Sequence, residues 1–191
     1  MTGPRDPAAS EGRLFFGVAL TDGARHAVQG HLAHERIPGR STAPEGWHLT
    51  LRFLGETAPD ALERLRERRA AADLGARFDV VFGRLGAFPA PESAGVLWLG
   101  VNEGAPALAA LAARVESCAR EAGFPAETRP YTPHVTLSRL RPPADVRRLV
   151  ERVPALREEM AVDAVVLFRR RLGGEPGRYE ELQRFPLSLR P

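Results

Sequence analysis

The chain contains no lysine: all 27 of its basic residues are arginine. It has one cysteine, Cys118, one isoleucine, Ile37, and aromatic side chains make up only 7% of its 191 residues. Each scarcity excludes something. A single cysteine cannot close an internal disulfide or build a Cys-based zinc or iron–sulfur site. Without lysine there is no Walker-type phosphate loop, and no GxGxxG follows any strand pattern. The longest apolar run near the start, residues 14–20, is interrupted by Gly17 and is far too short to span a bilayer. The residues before it lack the basic-then-apolar order of a signal peptide. These absences predict a soluble, cytoplasmic protein with no membrane association.

What is present is an ordinary globular balance, 43% hydrophobic and 27% charged, with a formal charge of only +3. That field suits a phosphate-bearing ligand but lacks the dense basic stripe of a duplex-DNA binder. The length is enough for one domain, or two small lobes sharing a core. Residues 1–12, rich in Pro, Gly, Ala and Ser, read as a disordered tail, and 13–191 as a single bilobal domain.

Strands are predicted over 13–20 (RLFFGVAL), 47–54 (WHLTLRFL), 77–86, 95–101 (GVLWLGV), 134–140, 160–172 and 178–187. Helices are predicted from Thr21 to about Glu35, over 59–73, and along the stripe Leu108, Leu111, Val115, Cys118 and Ala119, with a last one over 143–153. Gly173-Gly174 and Pro176-Gly177 mark a closing hairpin. This mixed order favours an α+β architecture over a doubly wound nucleotide fold.

One internal similarity carries chemistry. PEGWHLTLRFL (44–54) and PYTPHVTLSRL (130–140) align at a spacing of 86 residues, matching Pro44/Pro130, His48/His134, Thr50/Thr136, Leu51/Leu137 and Leu54/Leu140. Along a strand, residues i and i+2 share a face. His48 and Thr50 therefore face together with Leu49 and Leu51 opposite, and His134 and Thr136 repeat the arrangement. Two copies of strand plus helix predict two lobes about an approximate two-fold axis, which would bring two imidazoles and two hydroxyls into one cleft.

Two histidines flanking one centre suit general base and general acid roles near neutral pH. Two Thr hydroxyls suit donation to phosphate oxygens. Displacement at phosphorus is in line, so acid and base belong on opposite sides, as a two-fold cleft provides. Arg139, five residues past His134, would add positive charge, but on a regular strand it faces away; a bulge or bend is required.

The paired motifs His48-Leu49-Thr50-Leu51 and His134-Val135-Thr136-Leu137 resemble the twin HxTx signature of the 2H phosphoesterase superfamily. With RLFFGVAL, WHLTLRFLGE, GVLWLGV, RPYTPHVTLSR and RYEELQRFPL in order, the chain from 13 to 187 resembles the bacterial and archaeal RNA 2′,3′-cyclic phosphodiesterases, formerly called 2′-5′ RNA ligases. The resemblance implies a bilobal α+β fold of two pseudo-two-fold-related antiparallel sheets flanked by helices, with a central cleft and no metal or other cofactor. It implies His48 as proton donor to the departing 3′ oxygen and His134 as proton acceptor activating water. Thr50, Thr136 and Arg139 would hold the phosphate. The partner is then RNA with a 2′,3′-cyclic phosphate terminus or a small cyclic nucleotide, handled by a monomer. Two alternatives stand beside hydrolysis: ligation by the reverse chemistry, and a non-catalytic module that binds an RNA or nucleotide phosphate.

Other features read plainly. His31 and His34 share a helix face with Glu35 nearby, but no further ligands complete a metal site, so they belong to a solvated surface. Cys118 reads as a buried small hydrophobe, and Trp47 and Trp98 as core or sheet-surface residues. The Arg169-Arg170-Arg171 run, with Arg178 opposite, reads as an exposed hairpin.

Overall fold

Residues 13–20, apolar on both faces, and 47–54 make strands that need a helical cover, and the structure supplies it. The computed structural model describes residues 12–71, 73–170 and 179–189. Residues 1–11 of the expected tail, the Gly173–Gly177 turn, Arg171 and Arg178 lie outside the described residues. The elements run β1 (Arg13–Ala19), α1 (Asp22–Leu32), β2 (Arg40–Ser41), β3 (His48–Glu56), α2 (Pro59–Ala71), β4 (Phe78–Phe88) and β5 (Ala94–Glu103). They continue with α3 (Ala105–Glu121), β6 (His134–Ala144), α4 (Arg147–Arg152), β7 (Glu159–Val162), β8 (Ala164–Arg170) and β9 (Glu180–Pro186).

The strand order is β7-β4-β5-β6-β3-β1-β8-β9, with β2 paired to β6, and every pairing among these strands is antiparallel. Reading outward from the centre, β3-β1-β8-β9 mirrors β6-β5-β4-β7. The unit β1–α1–β3 is thus repeated as β5–α3–β6, the α+β arrangement with two related halves expected from the repeat. The halves are not separate sheets. They join into one through a single register pair, Leu49 with Val135, each fully buried.

Helix α1 starts on Thr21, whose hydroxyl accepts from the Ala24 amide at 3.2 Å, and it buries Ala24 and Val28. Helix α3 has Pro106 in its first turn and buries Leu108, Leu111, Ala112, Val115, Cys118 and Ala119, the predicted stripe. These faces cover the side of the sheet carrying Leu49, Leu51, Val135 and Leu137, forming one continuous core. On α2, Asp60 and Arg64 form the expected i,i+4 pair at 2.9 Å.

Beyond shifts of a few residues at element ends, the structure departs from the sequence reading in three places. The last helix is only Arg147–Arg152, because β6 runs on through Pro142 and Pro143 to Ala144; proline has no amide to donate but fits a strand's extended φ. The strand expected over 160–172 breaks at Asp163 into β7, which pairs with β4, and β8, which pairs with β1. Strand β2, too short for a periodic signal, was not anticipated.

The Leu49–Val135 contact is where two large buried faces meet, so truncation there leaves a cavity between the halves. Leu49→Ala is expected to cost about 2–5 kcal/mol, read by urea denaturation; a loss below about 1 kcal/mol would contradict a buried joint at this pair.

Candidate active site

The sheet face opposite the helices carries both HxT motifs. The register at Leu49–Val135 sets His48 level with Thr136 and Thr50 level with His134, so each imidazole faces the hydroxyl of the other strand. All four side chains are half-buried. On each strand a bulge follows the threonine. In β3, Phe16 pairs with Arg52 but Gly17 with Thr50, leaving Leu51 extra; in β6, Leu97 pairs with Ser138 but Trp98 with Thr136, leaving Leu137 extra. The extra residue reverses the alternation beyond it. This is the irregularity Arg139 required: it is exposed and acts electrostatically on both His48 and His134. Under the same symmetry, the counterpart of Arg139 is Phe53, an exposed large apolar residue with 49% of its surface accessible.

Each imidazole is held by its own strand. Nδ1 of His48 lies 2.7 Å from the Gly46 carbonyl, and Nδ1 of His134 lies 2.7 Å from that of Thr132. A carbonyl only accepts, so Nδ1 carries the hydrogen in both rings and Nε2 is left to exchange a proton with a ligand. The surroundings are apolar. The His48 ring centroid is 4.6 Å from that of Phe15, 5.0 Å from Tyr179 and 5.7 Å from Phe168. That of His134 is 5.1 Å from Phe88 and 6.0 Å from Trp98. Gly17 permits the packing at His48, since a Cβ there would come within 2.9 Å of the Leu49 carbonyl and 3.4 Å of the imidazole. Burial lowers both histidine pKa values, that of His48 to about 4, with a further push from the positive charges of His134 and Arg139.

A cavity of about 540 Å³ opens at one end of this arrangement, lined by Thr50, Phe53, Phe88, Tyr131 and His134, together with Arg129 and alanines of α3. Its size and apolar lining suit a small organic ligand. The wall is braced from behind. Arg52, only 8% exposed, bonds to the Glu116 carboxylate and to the carbonyls of Phe53 and Pro125, while Glu116 accepts from the Glu127 amide at 3.0 Å. Burial raises the pKa of the Tyr131 hydroxyl, which has no hydrogen-bond partner among the described residues.

All five residues singled out from the sequence thus share one face. The aromatic walls, Phe53 and the Arg52 brace were not anticipated, because nothing local in the sequence marks which strand packs beside a histidine. Trp47 is buried as expected, whereas Trp98 stands beside His134. His31 lies away from the site, its Nε2 3.0 Å from the Pro154 carbonyl, and no group of three or more potential metal ligands occurs among the described residues. In the arginine run, Arg169 pairs with Glu180 at 2.9 Å and Arg170 is exposed. No helix is long and apolar enough to cross a membrane.

The profile of the 2′-5′ RNA ligase superfamily matches residues 30–174. The RNA 2′,3′-cyclic phosphodiesterase of Aeropyrum pernix is 36% identical over 127 residues, 66% of this chain and 70% of that protein. The one from Geobacillus stearothermophilus is 32% identical over 93% of this chain, which spans 58% of that protein's length. The one from Methanothermobacter thermautotrophicus is 29% identical over 92% and 98% of the two chains. Among solved structures, Escherichia coli LigT complexed with 3′-AMP superposes with a TM-score of 0.78 at 26% identity, covering 93% of this chain and 98% of that one. LigT has also been solved complexed with NADP+, with a TM-score of 0.72 at 27% identity, covering 92% and 98% of the two chains.

The burial of the imidazoles has a direct readout. In the ligand-free protein, the His48 ring is expected to titrate near pH 4 and His134 below 6.5, followed by NMR of the ring protons. Because the folded pKa lies below the unfolded one, the stability His48 contributes is complete above about pH 6.5 and declines as pH falls toward 4. Midpoints at or above 6.5 would refute the apolar environment.

Proposed function

Because the chain belongs to the 2′-5′ RNA ligase superfamily, we propose that it hydrolyses RNA 2′,3′-cyclic phosphate ends to 2′-phosphate ends by two-histidine acid–base catalysis, with no metal ion. The observation that carries this reading is the cross-facing set of His48, Thr136, Thr50 and His134, with each Nδ1 tied to a backbone carbonyl. The cyclic phosphate lies between the imidazoles. His134 Nε2 takes a proton from water, the water oxygen bonds to phosphorus, and the P–O3′ bond breaks as His48 delivers its proton to O3′. The P–O2′ bond survives, leaving a 2′-phosphate and a 3′-hydroxyl.

Thr50, Thr136 and Arg139 donate to the non-bridging oxygens, where charge grows in the transition state. The proton donor must start protonated, and burial opposes this in the empty cleft. The anionic substrate supplies the counter-charge that raises both imidazole pKa values on binding, and the low intrinsic pKa of His48 makes its imidazolium a strong donor. The terminal nucleoside occupies the cavity beside Phe53 and Tyr131. LigT complexed with NADP+ supports this reading, since NADP+ carries a ribose 2′-phosphate, the same group as the proposed product. RNA-end processing accords with a cytoplasmic location.

The test is hydrolysis of a short RNA 2′,3′-cyclic phosphate in EDTA. Wild type is expected to give a 2′-phosphate end, and His48→Ala and His134→Ala to be slower by a factor of about 10² or more. Loss of activity in EDTA that a divalent ion restores would overturn the metal-free mechanism. Retained RNA binding with no turnover would replace hydrolysis with a binding role, and joined products dominating at high RNA-end concentration would indicate ligation.

The pH profile gives a second check. Both lowered pKa values place the optimum of kcat/KM, which reports the free enzyme, below pH 6.5. The optimum of kcat lies higher, because bound phosphate raises both groups. Coincident optima would count against the proposed counter-charge.

A further inference from the structure

Strand β2 places Arg40 directly opposite Arg139 across the antiparallel ladder, so the two side chains share a face. That face is the cleft, because the bulge at Leu137 turns Arg139 onto the side of the sheet that carries His134 and Thr136. Both arginines are exposed, and neither is paired with a carboxylate among the described residues. Like charges directly opposite on a sheet repel, and the backbone enforces the juxtaposition. Gly39 sits at φ +81°, and a Cβ there would lie 2.6 Å from the Arg139 carbonyl, so only glycine brings the chain this close. The Thr42 amide then bonds the Leu137 carbonyl at 2.8 Å and closes the ladder. Two cations held together without an acid make a site for phosphate.

Position says which phosphate. Along β6 the cavity reaches Tyr131, Thr132 and His134 and stops there, whereas Arg139 lies five residues beyond His134 in the other direction. The cleft therefore has an apolar end and a cationic end, with the reacting phosphate between them. Ribose has the same polarity. From its 2′,3′ edge, C1′ and the base lie on one flank, and C4′ with the 5′ oxygen lies on the other. A terminal nucleotide with its base in the cavity directs its 5′-phosphate toward Arg139 and Arg40.

We propose that Arg40 binds the phosphate on the 5′ side of the terminal nucleotide, so that the protein selects RNA ends over bare nucleoside cyclic phosphates. This rests on the hydrolytic reading above. Arg139 serves the reacting phosphate, and Arg40 extends the same positive edge by one phosphate along the RNA.

The minimal pair of probes is adenosine 2′,3′-cyclic phosphate with and without a 5′-phosphate. Wild type is expected to favour the 5′-phosphorylated compound in kcat/KM by about tenfold, the scale of one charge-assisted hydrogen bond. In Arg40→Gln that preference is expected to fall to about twofold or less, whereas Arg40→Lys retains most of it, since an ammonium still meets a phosphate as a point charge. The ratio within each variant cancels losses from misfolding. An unchanged preference in Arg40→Gln would overturn the proposal. So would an equal loss on both compounds, which would place Arg40 on the reacting phosphate, and so would a wild type indifferent to the 5′-phosphate. Failure of wild type to cleave either compound would instead overturn the hydrolytic reading.

Discussion

The contact between Leu49 and Val135 governs the rest of the molecule. Each belongs to a motif strand, each is wholly buried, and their pairing is the one register pair joining β3 and β6. Core burial on the helical side holds the pair, and alternation then presents His48, Thr50, His134 and Thr136 on the opposite side. A slip of one residue in either motif strand would turn that strand's histidine and threonine into the core. Apolar packing on one face thus sets the chemistry on the other. With only one register pair between them, β3 and β6 leave room for a ligand on the cleft face.

The cleft holds two conflicting demands in balance. Aromatic walls fix the imidazoles and exclude water, which sharpens every interaction with a bound anion. The same walls oppose the protonated form that an acid catalyst needs. The conflict resolves only when a phosphate enters, because its charge offsets the desolvation. The empty site is therefore poorly protonated, and the substrate itself completes the proton inventory. His48, enclosed by Phe15, Phe168 and Tyr179, experiences this more strongly than His134.

Approximate symmetry supplies the two imidazoles, and departures from it supply direction. The bulges at Leu51 and Leu137 occupy equivalent places, yet the residues they turn into the cleft are Phe53 on one side and Arg139 on the other. One end thereby becomes apolar and the other cationic. The buried Arg52, in the place symmetry assigns to the small, fully buried Ser138, ties β3 to α3 and to the loop preceding His134. The first motif strand is thus braced against the approach to the second.

Much of this was legible from local pattern. The HxT pairs, their shared face, the α1 and α3 stripes and the need for a bulge before Arg139 all follow from strand and helix periodicity, which any short segment carries within itself. The two related halves followed from the repeat. Other features had no local signal. Strand β2 is two residues long and exists because β6 offers it a ladder. Phe15, Phe168 and Tyr179 come together around His48 from segments distant in sequence, and the apolar stretch around Asp163 breaks there because its two parts pair with strands in opposite halves of the sheet. The sequence by itself determined which side chains carry the chemistry and which face of each strand they occupy, because alternation is a property of the chain. Tertiary structure alone decided what surrounds them, how far burial shifts their protons and which end of the cleft is charged, because burial and register are set by strands that meet only on folding.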